Sequence, residues 1–294
     1  MAQVRFFVHA PPGSAPWAMA AALAAAVAES GADGRAWELV DTGANPGVGA
    51  MEALAAASGD PNAIATCTPV YVQAPLLGKT ALTHRGLTPL ARLVGDRYLL
   101  VVRADGPADL AAFLAALRAG GTRSGGHFVG GINHLLTLAV AEAAGAPGAA
   151  VFVKIASEAD LFPALLDGRI DWATATPVEI ATRAPEGSVR VLAALAPQRM
   201  ARFPDAPTLA ECGAPLDFSL WRGVCGPAGL SAAQVAEWDR IIRAALGTRS
   251  WRDYLTANGQ TENHAPPEAF ARFLDGEWDW YARQMGAARV LPNT

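Results

Sequence analysis

Cysteine is scarce: the 294-residue chain carries only Cys67, Cys212 and Cys225. There is no CxxC pair and no Cys/His spacing suited to zinc, so neither a bound metal nor a cofactor is expected. An odd number leaves at least one thiol free in a monomer. Cys212 and Cys225 can pair if the chain is exported; the simpler reading makes all three small buried hydrophobes. Charge is also sparse, at 17% of residues with a net charge of −4. Nucleic acid requires a basic face, so it is excluded as a partner. The longest apolar run, Ala18 to Ala28, is alanine-rich and ends at Glu29. It is far shorter than the roughly 20 residues that cross a bilayer. Catalytic signatures are missing too. No Gly-x-Ser-x-Gly elbow occurs, and His9, His84, His127, His134 and His264 are scattered without metal spacing. The chain is therefore not expected to be an enzyme. No charged, then apolar, leader precedes Val4-Arg5-Phe6-Phe7-Val8. Either the protein is cytoplasmic or an export signal has been removed.

What is present is a globular composition, 52% hydrophobic, in a length that suits two α/β domains. Strand and helix signals alternate from the start. Val4–Val8, Trp37–Val40 and Ala63–Thr66 read as strands, and Trp17–Ala28 and Val48–Ala57 as the helices between them. This order implies a parallel sheet with helices on its faces. Ligands of such sheets sit beyond the carboxyl ends of the strands. Leu90–Val94 and Tyr98–Arg103 read as a further strand pair, and Asp105-Gly106-Pro107 breaks the chain. A second unit of the same plan follows, with strands predicted at 149–153, 169–173 and 189–194. Three amphipathic helices close the chain. The last carries Phe270, Phe273, Leu274, Trp278 and Tyr281 on one face, a packing stripe.

One stretch stands out for chemistry. Thr122-Arg123-Ser124-Gly125-Gly126-His127-Phe128-Val129-Gly130-Gly131 leads into an apolar helix from Leu135 to Ala144. A glycine loop at a helix start presents backbone N–H groups at the positive end of the helix dipole, which suits an anion. Arg123, Ser124, His127 and Asn133 add side-chain donors or acceptors. The plainer alternative is a loop that only turns a corner.

Several segments together carry a resemblance. Val8 to Trp17 resembles the Pro-Pro-Gly-Gly loop after the first strand of the tripartite tricarboxylate transporter substrate-binding proteins, the TctC or Bug family. Thr42 to Gly49 is similar to the family's second Pro- and Gly-rich loop, and Asn133-His134-Leu135 to its Ser-His-Leu helix start. Ala164 to Asp171 resembles its "L-L-G-G-Q-V-D" segment, and Phe203 to Gly213 its "L-P-D-V-P-T-V-A-E-A-G". Trp221-Arg222-Gly223 and Gly226 to Gly229 look like the "W-F-G…A-P-A-G" that follows. The matches are in order and cover nearly the whole chain.

The resemblance implies a type II periplasmic-binding-protein fold: two α/β lobes with parallel-rich mixed sheets, joined by two hinge crossovers. Lobe one would be residues 1–103 plus 222–294, and lobe two residues 104–221. It implies a non-catalytic, monomeric receptor that closes on a small mono- or dicarboxylate and delivers it to membrane permease subunits. A periplasmic location with the leader removed is implied too. A ligand-sensing domain that signals to another protein would share the fold, and an enzyme on a related two-lobe fold is the remaining alternative.

Site residues carry over position by position. From lobe one come Pro12, Gly13 and Ser14, then Gly43 to Gly47, and Thr66 and Thr68. From lobe two come His127, Gly130, Gly131 and Asn133, with Ser157 and Thr174 at neighbouring strand ends. Tight turns and strand packing are the plainer readings for the glycines and threonines. The departures from the family pattern bear on the ligand. Pro16 and Trp17 stand where the family often has Thr-Asp, so a carboxylate to hold an amino group is missing. Trp17 offers a flat apolar face that suits an aromatic or more apolar acid. Arg222 replaces a family aromatic and can pair bidentately with a carboxylate, unless it is solvated or structural. Trp221 reads as a core anchor.

Overall fold

The computed structural model describes residues 3–43, 48–258 and 260–292. It divides into two compact units. The first runs up to Gly95 and resumes at Leu220–Tyr281; the second is Asp96–Ser219 with the segment from Ala282 onward.

The first unit begins with β1 (Gln3–Val8), α1 (Ala15–Ser30), β2 (Ala36–Asp41), α2 (Val48–Ala56) and β3 (Ala63–Cys67). β1 pairs in parallel with β2 on one side and β3 on the other. Its side chains alternate between two cores. Val4, Phe6 and Val8 pack with Met19 and Leu23 of α1, while Phe7 packs with Met51 and Leu54 of α2. A strand buried on both faces reads as a nearly continuous apolar run, as Val4–Val8 does apart from the exposed Arg5. α3 (Val70–Leu76) and β4 (Thr88–Arg97) follow.

The second unit holds β5 (Leu99–Arg103), α4 (Leu110–Ala119), β6 (Thr122–Gly126), α5 (Ile132–Ala143) and β7 (Ala150–Lys154). Then come α6 (Leu161–Leu166), β8 (Trp172–Ala175), α7 (Pro177–Arg183) and β9 (Val189–Ala194). Its sheet has the order β7-β6-β8-β5-β9. Its core gathers Leu99, Val101, Leu161, Phe162, Leu165 and Ala173, all buried.

The chain returns to the first unit through β10 (Ser219–Gly226), then α8 (Ala232–Leu246), α9 (Arg249–Ala257), β11 (Thr261–Ala265) and α10 (Pro267–Ala287). The first sheet is thereby completed in the order β11-β4-β10-β3-β1-β2. β10 runs antiparallel to β3, which makes the sheet mixed. Phe270, Leu274 and Tyr281 of α10 are fully buried, so the aromatic stripe is packing.

Three expectations are corrected. Leu90–Val94 and Tyr98–Arg103 do not pair; β4 lies in the first sheet and β5 in the second. Only Tyr98 separates them, too little chain to reverse direction, since even a tight hairpin uses two loop residues. The strand expected at 169–173 is β8 at Trp172–Ala175. Before it, Arg169 is held in a turn by Asp160 and Asp167, its guanidinium 2.8 Å from each carboxylate. The unit boundaries shift as well. Residues 96–103 join the second unit because β5 is a strand of its sheet. Residues 282–292 do so as well, with Gln284 Nε2 donating to Glu142 Oε2 of α5 at 2.7 Å. Leu220 and Trp221 instead belong to the first unit. Passages between units therefore occur within β4, within β10 and, a third time, within α10.

Two elements carried no sequence signal. α3 contains Pro75 inside its seven residues, and β11 is the polar run Thr-Glu-Asn-His-Ala. All three cysteines are free thiols. Cys212 is exposed, whereas Cys225 is buried beside Cys67, and burial together with that contact pushes the Cys67 thiol well up.

Candidate functional site

In the first unit the polar side chains gather at the carboxyl ends of β1 and β3. His9 follows β1 directly and is 7% exposed. Its backbone N–H donates to Thr66 Oγ1 at 3.3 Å, and its ring Nδ1 lies 2.7 Å from the same oxygen. Its Nε2 lies 3.4 Å from Thr68 Oγ1. Burial, aided by the nearby Arg222 charge and opposed by a contact to the Thr66 backbone, lowers the His9 pKa to about 4. The imidazole is neutral at physiological pH. Arg222 lies on β10, whose register sets Gly223 opposite Cys67 and Val224 opposite Thr66. That places the arginine beside Thr68. At 9% exposed it is a buried cation, not a solvated one. A guanidinium can pair bidentately with a carboxylate, and such a bond strengthens away from water.

The loop above these strands is a tight turn. The Ser14 N–H donates to the Pro11 carbonyl at 3.2 Å, with Gly13 at φ +87°. That backbone conformation strains any side-chain-bearing residue. Ser14 then caps α1, its Oγ accepting from the Trp17 N–H at 3.3 Å. Pro12 and Gly13 are exposed. Trp17 is half-buried and rests against the core under α1, which limits the face it can offer. The Gly43 amide is already taken by Asp41 Oδ1 at 2.7 Å. The remainder of that loop, residues 44–47, lies outside the described residues.

In the second unit the glycine stretch divides into two parts with different purposes. Gly125 and Gly126 are not loop residues; they end β6 and are buried. A Cβ on Gly126 would come within 2.6 Å of Asn133 Cβ, so this glycine lets α5 lie close on its strand. Gly130 and Gly131 form the actual turn. Gly131 is the N-cap of α5 and provides no side-chain cap. The first helical bond is Leu135 N–H to the Gly131 carbonyl at 3.0 Å. The amides of Ile132, Asn133 and His134 precede that ladder and point out of the helix start.

Two side chains fix the turn. His134 Nδ1 accepts from the Gly130 N–H at 2.9 Å, and its ring stacks on Phe152 with centroids 4.2 Å apart. Asn133 Nδ2 donates to the Thr174 carbonyl at 2.7 Å and lies 3.2 Å from its Oγ1. Thr174, buried at the end of β8, therefore anchors the helix start. His134→Ala removes the acceptor and the stacked ring. It is expected to lower stability by about 1–2 kcal/mol. An unchanged urea midpoint would remove His134 from the anchoring of this turn.

The other expected contributors in this unit divide. His127 is half-buried and its ring lies 4.1 Å from that of Phe128. Phe128 and Val129 are 60% and 55% exposed, an apolar tip beside the helix start. Ser157 is exposed and caps nothing. Arg123 is engaged elsewhere, in a two-pronged ion pair with Asp171 and a hydrogen bond that it donates to the Gly168 carbonyl. Ser124 is buried in β6. Neither belongs to the helix start. Trp221 is fully buried, as a core anchor. His9 went unrecognised in the sequence, where it reads only as the residue after an apolar run.

Among the described residues no group of three or more His, Cys, Asp or Glu side chains could hold a metal. No helix among them is long and apolar enough to cross a membrane.

Comparison with known proteins agrees with this architecture. A TctC solute-binding protein from Polaromonas superposes with a TM-score of 0.88 at 24% identity, over 97% of this chain and 98% of its own. MatC from Rhodopseudomonas palustris, solved with bound malate, gives 0.67 at 22% identity over 96% and 98%. Protein BugT of Bordetella pertussis is 33% identical over 106 residues, 34% of this chain. That match spans 32%, about a third, of the length of BugT. The model of the tripartite tricarboxylate transporter family receptor, TctC, matches residues 39–281. The chain belongs to that family of receptors.

Proposed function

We propose that this chain is a periplasmic, non-catalytic receptor that captures a small carboxylate and delivers it to the permease subunits of a tripartite tricarboxylate transporter. The observation that carries the reading is Arg222: a buried arginine on β10, the strand paired with β3, close to the strand ends where such sheets take their ligands. The uncapped start of α5 in the second unit offers main-chain donors of the same preference. Affinity in the micromolar range, about −8 kcal/mol, requires several such individually weak contacts acting together. The malate bound to MatC is one member of the ligand class proposed here. The exposed Phe128 and Val129 beside the start of α5 favour an acid with an apolar body.

The test is a thermal-shift and calorimetric panel of mono-, di- and aromatic carboxylates against matched amines. A shift with at least one acid and none with amines supports the reading; silence across the acids removes it. Gly131→Asp sharpens the test. Aspartate is a favoured N-cap, which offsets the small shift of Phe128 that a Cβ here requires, its nearest atoms lying 3.0 and 3.2 Å away, and its own carboxylate occupies the anion position. Carboxylate affinity is expected to fall about a hundredfold, nearly 3 kcal/mol, in a protein that still unfolds in one cooperative transition. Undiminished affinity would take the start of α5 out of the site.

A further inference from the structure

The two threonines beside Arg222 are linked through His9, and the links have a direction. Thr66 is fully buried. Its oxygen already accepts the His9 backbone N–H at 3.3 Å. Its hydroxyl hydrogen then needs an acceptor, and the ring Nδ1 at 2.7 Å is the one the geometry supplies. An imidazole that accepts at Nδ1 and is neutral carries its hydrogen on Nε2. That nitrogen faces Thr68 Oγ1 at 3.4 Å. With its oxygen accepting from the ring, Thr68 has its own hydroxyl hydrogen left to donate elsewhere. The opposite direction fails on hydrogen-bond grounds. It would aim both the backbone N–H and an Nδ1–H at Thr66 Oγ1, and leave a buried hydroxyl hydrogen without an acceptor.

We infer that His9 is a positioning residue: a Thr66–His9–Thr68 chain that turns the Thr68 hydroxyl into an outward donor for a carboxylate. This rests on the reading of the chain as a carboxylate receptor. The chain accounts for selectivity as well as affinity. A free threonine hydroxyl can donate or accept and so tolerates an amine or an alcohol. A hydroxyl whose oxygen accepts from an imidazole N–H has its hydrogen turned away from the ring, so it meets an acceptor without reorienting, and the bond it donates is stronger to a charged carboxylate than to a neutral oxygen. A neutral imidazole is required throughout, in keeping with the low His9 pKa that burial imposes.

Two measurements test the inference. The first uses the free protein, so it does not depend on any ligand. Nitrogen chemical shifts of 15N-labelled histidine should show His9 as the Nε2–H tautomer. Thr66→Val, which removes the donor to Nδ1 while keeping the side-chain shape, should redistribute that tautomer. A His9 ring protonated on Nδ1, or one indifferent to Thr66→Val, overturns the inference. The second measures adipate and malate affinity in Thr66→Val. A residue that never touches the ligand should weaken whichever acid binds by about fivefold to tenfold, the value of one neutral hydrogen bond. It should also narrow the preference of the site for acids over the matching diols. Unchanged affinity and preference, with the wild type binding, overturns it too. If the wild type binds neither acid nor any other carboxylate, the receptor reading fails, and the tautomer result still decides the direction of the chain.

Discussion

Replacing Trp221 by alanine is expected to cost about 4 kcal/mol of stability. The indole is fully buried, crossed edge-on by Phe270 and Phe273 at centroid distances of 5.5 and 5.6 Å. Its Nε1–H donates to Glu277 Oε2 at 2.6 Å. Truncation loses the transfer free energy of a large ring, opens a cavity in the core around Met51, Leu54 and Phe270, and withdraws a donor from a carboxylate. Trp221→Phe separates these contributions. It keeps much of the apolar volume and loses the N–H, so it should cost about 1–3 kcal/mol. Chemical denaturation of both variants gives the ordering. A Trp221→Ala protein as stable as wild type would mean that this core can collapse around the gap, and Trp221 would not be its anchor. Because Arg222 is the next residue on β10, Trp221→Ala should also weaken carboxylate binding, through displacement of the strand.

Acid is expected to destabilise the protein well before its carboxylates titrate. In the folded state the His9 pKa is lowered from 6.5 to about 4. As pH falls through 6.5 the unfolded chain takes up a proton that the folded chain refuses. The contribution is therefore fully present above 6.5 and is lost as pH falls toward 4. The whole shift corresponds to roughly 3 kcal/mol, of which roughly 2 is gone by about pH 5. Burial lowers His84, His134 and His264 as well, so they act in the same direction. Urea midpoints at about pH 7.5 and about pH 5 measure the slope above the ordinary carboxylate range. In His9→Gln the drop between the two should shrink by roughly 2 kcal/mol. An equal drop in both proteins would mean that His9 charges freely in the fold.

What could be read from the sequence was whatever is encoded locally. Val4–Val8 is buried on both faces and is apolar at every position but one, so it announces itself as an inner strand. Phe270, Leu274 and Tyr281 recur at helical spacing because one face of α10 is buried. Thr66, Thr68, Gly131 and Asn133 came from the family resemblance, and they lie at strand and helix ends. What could not be read was pairing across long separations. The burial of Arg222 follows from β10 lying beside β3, more than 150 residues earlier. The role of His9 depends on Thr66 and Thr68, which no spacing connects to position 9. Gly125 and Gly126 misled for a related reason. A glycine that makes room for a helix and one that turns a loop are the same letter, and only the approach of Asn133 tells them apart.

The strand order of the first sheet also has a consequence for synthesis. β10 sits between β4 and β3, yet it emerges from the ribosome after the whole run Asp96–Ser219. At typical elongation speeds that delay is on the order of ten seconds. During it the nascent amino-terminal half has two hydrogen-bonding edges awaiting a strand not yet made, while the contiguous middle of the chain can already collapse. The newborn polypeptide is thus most exposed to wrong partners along β3 and β4, the edges a holding chaperone would have to shield until translation catches up.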